Sequence, residues 1–516
     1  MSSVPKSWID IELSEVAQII RGVTYKREQS ASEPKEGLLP VLRATNISGV
    51  ALTFDELVYV PSGSISTEQL LLQGDVVVAS SSGSKEIVGK AGSFLGGSFK
   101  GSFGAFCTGI RPSALLSPTY FQYFFQTPSY RKSVSELSAG SNINNLKTGD
   151  LAAQRFPLPP AAEQTRIVAK LEELLSDLDA GVAELKAAQQ KLVQYRQSLL
   201  KAAVEGALTA EWCQQNPPGE TGAQLLQRIL TERRARWETR QLAKFQAQGK
   251  PAPRDWLKKY PEPVQPDTTD LPELPEGWVW ASVEQLGDVQ LGRQRSPDKL
   301  KGISPTRYIR AANITEAGID FSDVLKMDFS EQERNTFELH VGDVLLTEAS
   351  GSAEHVGRPA IWPNVDGLYC FQNTVLRFQP QGVGSEFAFY SFLAMQKLGV
   401  FRRLSGGVGI NHLSAGKFSR LPVALPSTDE QVEIVRALAV QFAAIEEQGQ
   451  AIELSFKQST AQRQNILRVA FSGQLVPQDP ADEPASVLLE RIRAERAAQV
   501  APKKPRGRKV KEASHA

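Results

Sequence analysis

The chain is written twice, and that duplication constrains its fold more than any other feature. A shift of about 267 residues lays DEQVEIVRAL on AEQTRIVAKL, so that Glu430, Gln431, Ile434 and Val435 fall on Glu163, Gln164, Ile167 and Val168. The match extends well beyond that segment. Trp8 to Gly22 meets Trp278 to Gly292, and Arg43-Ala44-Thr45-Asn46-Ile47 meets Arg310-Ala311-Ala312-Asn313-Ile314. Gly74-Asp75 meets Gly342-Asp343, Val88-Gly89 meets Val356-Gly357, and Ile143-Asn144-Asn145-Leu146 meets Ile410-Asn411-His412-Leu413. Gly206 and Leu208 meet Gly473 and Leu475. One gene duplication accounts for all of these, so the fold must satisfy the same pattern in two places.

Each repeat contains a long helical stretch. The first carries apolar or small residues at Leu171, Leu174, Leu178, Gly181, Leu185, Ala188, Leu192, Tyr195, Leu199 and Ala202, in alternating steps of three and four. That spacing predicts a coiled-coil seam. The second stretch keeps the period through Leu438, Ile445, Ile452, Ile466 and Val469. Gln441, Gln448, Ser455, Ser459 and Gln462 interrupt it, and the glutamines are expected to fix register or to face a partner. Prolines precede both stretches (Pro159 and Pro160, then Pro426), and Ser427-Thr428-Asp429 offers capping groups to the second. Each helix is expected to run about 44 residues, roughly 65 Å. A pair of that length acts as a spacer.

Before each helix lies a segment of about 150 residues, normal for one core. It mixes runs such as Asp75-Val76-Val77-Val78 and Asp343-Val344-Leu345-Leu346 with a helix-like segment, Phe121 to Val134 or Phe387 to Val400. The expected fold class is α/β (α+β) in tandem duplicate. Loops rich in Gly, Ser and Asn (Ser80 to Lys85, Gly96 to Gly104, Gly140 to Asn145, Gly406 to Asn411) are where a rigid scaffold would carry function. The expected division is a globular domain at 1–160, a spacer helix at 161–209, a basic helical and Pro-rich connector at 210–276, a second globular domain at 277–426, a second spacer helix at 427–476, and a terminal helix with a basic, disordered tail at 477–516.

Charge and cysteine usage narrow the chemistry. The formal net charge is +1, so any basic surface is local. Cys107, Cys213 and Cys370 are far apart with no CxxC spacing, which disfavours a metal knuckle or a disulfide framework and points to a reducing compartment. The start, MSSVPKSWIDIEL, lacks the order of a signal peptide, and no apolar run reaches membrane-spanning length, so a cytoplasmic location is expected. Catalytic motifs fail on inspection. Gly83 to Lys90 has the wrong spacing for a phosphate loop, and Ala91 stands where a Ser or Thr is needed. Asn216-Pro217-Pro218-Gly219 lacks the aromatic residue of an amino-methyltransferase motif, and His340, His355, His412 and His515 form no nucleophile-base pattern with the cysteines. The expectation is a chain without an active site or metal.

Two similar domains spaced by an antiparallel helix pair would be related by a pseudo-twofold axis. B-DNA shares that local symmetry, with half-sites about one helical turn apart, roughly 34 Å. Because the loops of the two domains differ, the half-sites should differ too. The order of domain, EQxxIV helix, domain, EQxxIV helix, with a GD-type strand in each domain, resembles the specificity (S) subunit of type I restriction-modification systems along essentially the whole chain. The strongest pieces are Glu163-Gln164-Thr165-Arg166-Ile167-Val168 and Glu430-Gln431-Val432-Glu433-Ile434-Val435. The resemblance implies two DNA target recognition domains and assembly with two modification subunits, which bind S-adenosylmethionine and methylate adenine. Restriction subunits using ATP and Mg can join them. This chain would read double-stranded DNA, and its partners would do the chemistry.

Base reading needs side chains that reach a groove, with phosphates held by Lys, Arg and backbone amides. Residue chemistry and loop position select Lys85, Lys90, Asn142, Asn144, Asn145 and Lys147 in the first domain, and Arg293, Arg295, His355, Arg358, Asn411 and His412 in the second. Competing readings make Arg43 and Arg310 structural ion-pair partners and make Asn144 and Asn411 helix caps. For the whole chain the alternatives are a coiled-coil adaptor whose repeated domains bind proteins, and a free-standing nuclease or methyltransferase.

Overall fold

The structure is a computed structural model; it describes residues 4–138, 144–294, 305–352, 354–404 and 411–499. It contains two compact units, Met1–Lys186 with Glu453–Ala516, and Ala187–Ile452. Both long helices, Ala161–Val204 and Thr428–Phe471, have 44 residues and give one part to each unit. Helices and strands are mixed in both units, as the sequence leads one to expect.

In the first unit, Val76–Ala79 forms the centre of a sheet because all four of its residues are buried. It pairs antiparallel with Cys107–Pro112 on one side and Ala91–Ser93 on the other, and Ala17–Arg21 lies beyond Cys107–Pro112. A smaller sheet joins Ser102–Phe103, Leu38–Leu42 and Val58–Pro61. Ile9–Glu12 pairs with Arg155–Leu158, so the two ends of the domain meet. Two helices cover one face, burying Tyr120, Phe121 and Phe124 from Pro118–Phe124 and Tyr130 and Val134 from Pro128–Leu137. The sequence leads one to expect a single helix there. Thr127-Pro128 breaks it, because proline disfavours helical geometry in the residue before it.

The second unit repeats this plan within its own core. Val344–Thr347 is buried throughout and pairs with Val375–Pro380 and Pro359–Ile361, with Gly287–Leu291 beyond. Leu325–Asp328, Pro305–Ile309 and Tyr369–Phe371 form the smaller sheet. Val279–Ser282 closes the domain against Pro422–Leu425. The helices Ser385–Lys397 and Val400–Leu404 cover the sheet.

The repeated motifs turn out to be joints. In the first unit the buried Glu163 accepts from Trp8 Nε1 at 2.9 Å and from Gln478 Nε2 at 2.5 Å. Gln164 accepts from the Ser117 amide at 3.0 Å and donates to the Pro159 carbonyl at 3.1 Å. In the second unit Glu430 accepts from Trp278 Nε1 at 2.9 Å and from the Thr209 hydroxyl at 2.8 Å, while Gln431 links the Gly384 amide to the Pro426 carbonyl. Burial pushes the Glu163 carboxyl above the usual carboxylate range, against the pull of the Trp8 and Gln478 hydrogen bonds. Gly206 and Gly473 follow the long helices in left-handed conformation, φ 76° and 74°. A Cβ there would stand 2.5 Å from Pro275 Cγ or 2.3 Å from Pro5 Cγ, so only glycine fits.

Other repeated pairs are structural as well. Asn46 and Asn313 accept from the amides of Arg43 and Arg310 at 2.9 and 3.0 Å. Arg310 forms the expected ion pair, with Asp323 at 2.6 Å, whereas Arg43 donates to the Glu56 backbone carbonyl. Asp75 accepts from the Leu72 amide and forms an ion pair with Arg111 at 2.7 Å; Asp343 accepts from the His340 amide.

The helix seam differs from the expected one at its ends. Ile167, Leu171 and Leu175 are buried in the first unit, and Leu199, Leu200 and Ala203 in the second, whereas Gly181 and Tyr195 are exposed. A straight helix drifts against a strict heptad, and each end packs on a globular domain, so the buried line rotates. Gln448 and Gln462 are exposed and lie off the seam; half-buried Gln441 meets the Tyr195 hydroxyl at 3.2 Å.

Removing the Glu163 carboxylate strands a buried indole N–H, at a cost of about 1–3 kcal/mol. Glu163→Ala is therefore expected to speed amide exchange in residues 5–12 by roughly 5- to 150-fold and leave residues 275–282 unchanged, with Glu430→Ala doing the reverse. Equal protection in wild type and both variants would remove the carboxylate from the joint.

Candidate nucleic-acid interface

In each unit a short strand pair fastens two sequence-distant loops at one end of the main sheet. In the first, Ser81–Ser82 pairs with Asn144–Asn145, and the Leu146 amide donates to the Ser80 carbonyl at 2.8 Å. In the second, Ala349–Ser350 pairs with Asn411–His412, and the Leu413 amide donates to the Glu348 carbonyl at 2.8 Å. The adjoining turns also match: the Gly89 amide bonds the Ala79 carbonyl and the Gly357 amide bonds the Thr347 carbonyl, both at 2.8 Å. The Val76–Ala79 and Val344–Thr347 strands feed directly into these ends, so a buried scaffold holds the loops.

The first-domain candidates converge here. Lys85 is exposed on the turn, Lys90 is half-buried at its base, and Asn145 and Lys147 are exposed beside it. Asn144 occupies the strand opposite Ser82. Asn142 lies outside the described residues. In the helix after this loop, Asp150 accepts from the Lys147 amide at 3.0 Å.

The second domain brings fewer of its candidates together. His355 is exposed on the turn, and His412 is exposed with Nδ1 3.2 Å from a Glu348 carboxylate oxygen. Asn411 pairs with Ser350, and Ser414 caps the following helix by accepting from the Lys417 amide. Arg295 lies outside the described residues. Arg293 requires a correction. It is 7% exposed, bonds Glu333 at 2.7 Å and the Asp328 carbonyl at 2.9 Å, and lies over the Phe329 ring, so its cation is spent inside the domain. Arg358 is half-buried and turned to the Ile314 carbonyl, lining a cleft with Arg196, Tyr390 and Lys397 away from the strand pair.

The structure adds residues that spacing alone does not single out. Phe106 is 68% exposed, and its carbonyl accepts from the Ser80 amide at 2.8 Å, which places an aromatic ring's backbone at the first loop pair. Arg131 reaches back from its helix to the carbonyls of Val88 and Glu86 and steadies the lysine-bearing turn. Glu348 supplies an acceptor beside His412. Only Phe106 left a sequence signal, an aromatic in the glycine-rich stretch GSFGAFC.

Burial pushes the Cys107 thiol up to about 12; the same cause, with the Glu338 charge, brings Cys370 to about 12. Both stay protonated at neutral pH and serve as core side chains. Among the described residues no group of three or more His, Cys, Asp or Glu is placed to hold a metal ion, and no helix is long and apolar enough to cross a membrane.

A duplicated scaffold that presents two different polar loop sets is the architecture of a two-site recognition protein. The model of the type I restriction modification DNA specificity domain matches residues 5–187 and 275–454, and the chain belongs to that family. It is 30% identical over 508 residues to the type I restriction enzyme EcoKI specificity subunit of Escherichia coli strain K12, with 96% of this chain and 97% of that one covered. It is 29% identical over 507 residues to the StySPI specificity subunit of Salmonella potsdam, with 96% of each covered. A solved structure concerning complex assembly and conformational transition of the type I R-M system superposes with a TM-score of 0.61 at 15% identity, covering 92% of this chain and 99% of that one.

Burial alone would raise Glu333, but the Ser330 amide and hydroxyl and the Arg293 guanidinium bring it down to about 2. Its folded pKa lies below the ordinary carboxylate value, so its contribution is present at neutral pH and is lost as pH falls from about 4.5 toward 2. Glu333→Gln is expected to flatten the acid limb of a stability-versus-pH curve in that window; an unchanged limb would show that the Arg293 pair is not formed in solution.

Proposed function

We propose that this chain is the DNA-reading specificity subunit of a type I restriction-modification complex, acting on double-stranded DNA without chemistry of its own. The observation that carries this reading is the twofold occurrence of one loop-pairing scaffold with different side chains on each copy. The first copy carries Lys85, Lys90, Asn145 and Lys147; the second carries His355 and His412. Lysines suit phosphates, asparagine suits adenine edges, and histidine and Glu348 suit donor and acceptor edges in the major groove. Phe106 suits apolar contact with a thymine methyl. The target is accordingly bipartite and asymmetric. EcoKI and StySPI, named as specificity subunits of type I restriction enzymes, support the assignment through similarity over nearly their whole length.

The assignment carries over the resemblance's partners. Two modification subunits would bind S-adenosylmethionine and methylate adenine, and restriction subunits would use ATP and Mg, all in the cytoplasm. The recognition domains are residues 1–160 and 277–426. The helices at 161–209 and 427–476 form an antiparallel coiled coil that sets the gap between half-sites and gives the chain its pseudo-twofold plan. Contacts inside each unit support that pairing: Asp179 with Arg463 in the first, and Tyr195 with Gln441 and Arg196 over Phe442 in the second.

Mapping methylated adenines in cells with and without this gene is expected to reveal one motif of two short defined parts separated by a fixed run of unspecified bases; loss of a continuous palindrome instead would overturn the reading. Lys85→Ala with Lys90→Ala should weaken binding to all sequences alike and lower the salt slope by about 1 per phosphate contact removed. Asn145→Ala should relax one base position by about 1–3 kcal/mol and leave the second half-site intact. Four residues inserted after Leu185 should change the gap and keep both half-site sequences, or abolish assembly.

A further inference from the structure

The two repeats agree beyond their recognition domains. The helix Gly222–Ala247 begins as a copy of Ala485–Gln499. In the first unit Leu488 and Ile492 are buried, Arg491 pairs with Glu483 at 2.6 Å, and Arg493 and Arg496 reach Glu15 and the Ser14 carbonyl. In the second unit Leu225 and Ile229 are buried, Arg228 pairs with Glu220 at 2.8 Å, and Arg233 reaches the Glu284 carbonyl at 2.8 Å and Asp288 at 3.3 Å. Both helices therefore cross the same end of their sheets. In the second unit that is the end where Gly287 pairs with Pro380, whereas the recognition loops leave the end where Leu291 pairs with Leu376. In the first it is the end where Ala17 pairs with Pro112.

Past these docked turns both copies become basic without sharing sequence. Residues 233–259 hold nine Lys and Arg against two Asp and Glu in a chain whose net charge is +1. After Gln499 the sequence holds six Lys and Arg between Lys503 and Lys511. In the second unit the basic segment is a built arm. The strap after the helix folds back on it, with Trp256 stacked on Trp237 at 5.6 Å, Tyr260 edge-on to Trp237 at 5.4 Å, and Arg234 over the Tyr260 ring. Arg240, Lys244, Lys250, Arg254 and Lys259 are exposed on this arm and form no ion pair among the described residues. Leu242 and Leu257 are exposed with them, 42% and 44%.

We infer that this arm is a docking site for a protein partner that presents an acidic face with an apolar centre, the modification subunit on the reading proposed above. Three observations favour protein over DNA. The arm is rooted at the sheet end away from the recognition loops. Its exposed leucines gain nothing from phosphate, whereas an apolar centre inside a charged rim is how protein interfaces are built. The positive charge recurs after the equivalent helix of the other repeat, as a partner bound in two copies requires.

The test uses the full chain with its cognate modification subunit and two variants, R240E/K244E/R254E/K259E and L242S/L257S. The charge variant is expected to bind the subunit at least 10-fold more weakly at low salt, with the difference shrinking as salt screens it; the leucine variant should lose affinity at every salt concentration. Both should keep the wild-type melting temperature, and the assembled complex should keep its DNA target and the salt slope of DNA binding. Unchanged subunit affinity in both variants would overturn the inference while leaving the specificity reading intact. A DNA salt slope reduced by about 1 per replaced charge would overturn it in favour of phosphate contact. A wild-type chain that binds no modification subunit and alters no methylated motif would overturn the specificity reading itself.

Discussion

The fold depends on a carboxylate held at the start of each long helix. Glu163 and Glu430 are buried, and each accepts an indole N–H from the tryptophan that opens its own domain. The neighbouring glutamines, Gln164 and Gln431, tie the same turn to a loop amide and to the proline carbonyl that ends the domain. A buried acceptor left without its donors costs more than the bonds gain when made, so the joint is rigid by necessity. The chain's entry strand, exit strand and long helix are thereby fixed to one another in each unit.

That rigidity gives the loop ends their meaning. A recognition side chain contributes specificity only if its backbone is already placed, since ordering a loop on contact consumes the free energy that contact provides. Here the loops are pinned by short strand pairs that continue from fully buried strands. The two loop-pairing strand pairs match in register, while the exposed residues they carry do not. Asn145 in one stands where His412 stands in the other, and His355 stands where the first domain has Ile87.

Much of this was legible in the residues. Repeated Gly-Asp and Arg-Ala-(Thr/Ala)-Asn segments lie at positions where side chains bond backbone, and such local bonds leave the same residue type in both copies. Lys85, Asn145 and Lys147 lie exposed together because lysine and asparagine in a short polar loop favour solvent. The place of Arg293 is not legible in the sequence, because a guanidinium is equally at home on a phosphate or on a buried Glu333 carboxylate, and nothing in a linear stretch distinguishes them. Phe106 and Glu348 acquired significance only from neighbours about 26 and 64 positions away, Ser80 and His412.

The sequence by itself determined that there are two like domains and two long helices, because duplication and periodicity are one-dimensional properties that survive without coordinates. Only the tertiary structure decided which helix face is buried, since the globular domains at each end rotate the seam away from a strict heptad. It also decided that the EQ motif is a joint, and that the basic connector is a clasped arm at the sheet end away from the paired loops. Those distinctions rest on hydrogen bonds and ring contacts between residues distant in the chain, and local spacing carries no information about partners that only folding brings within reach.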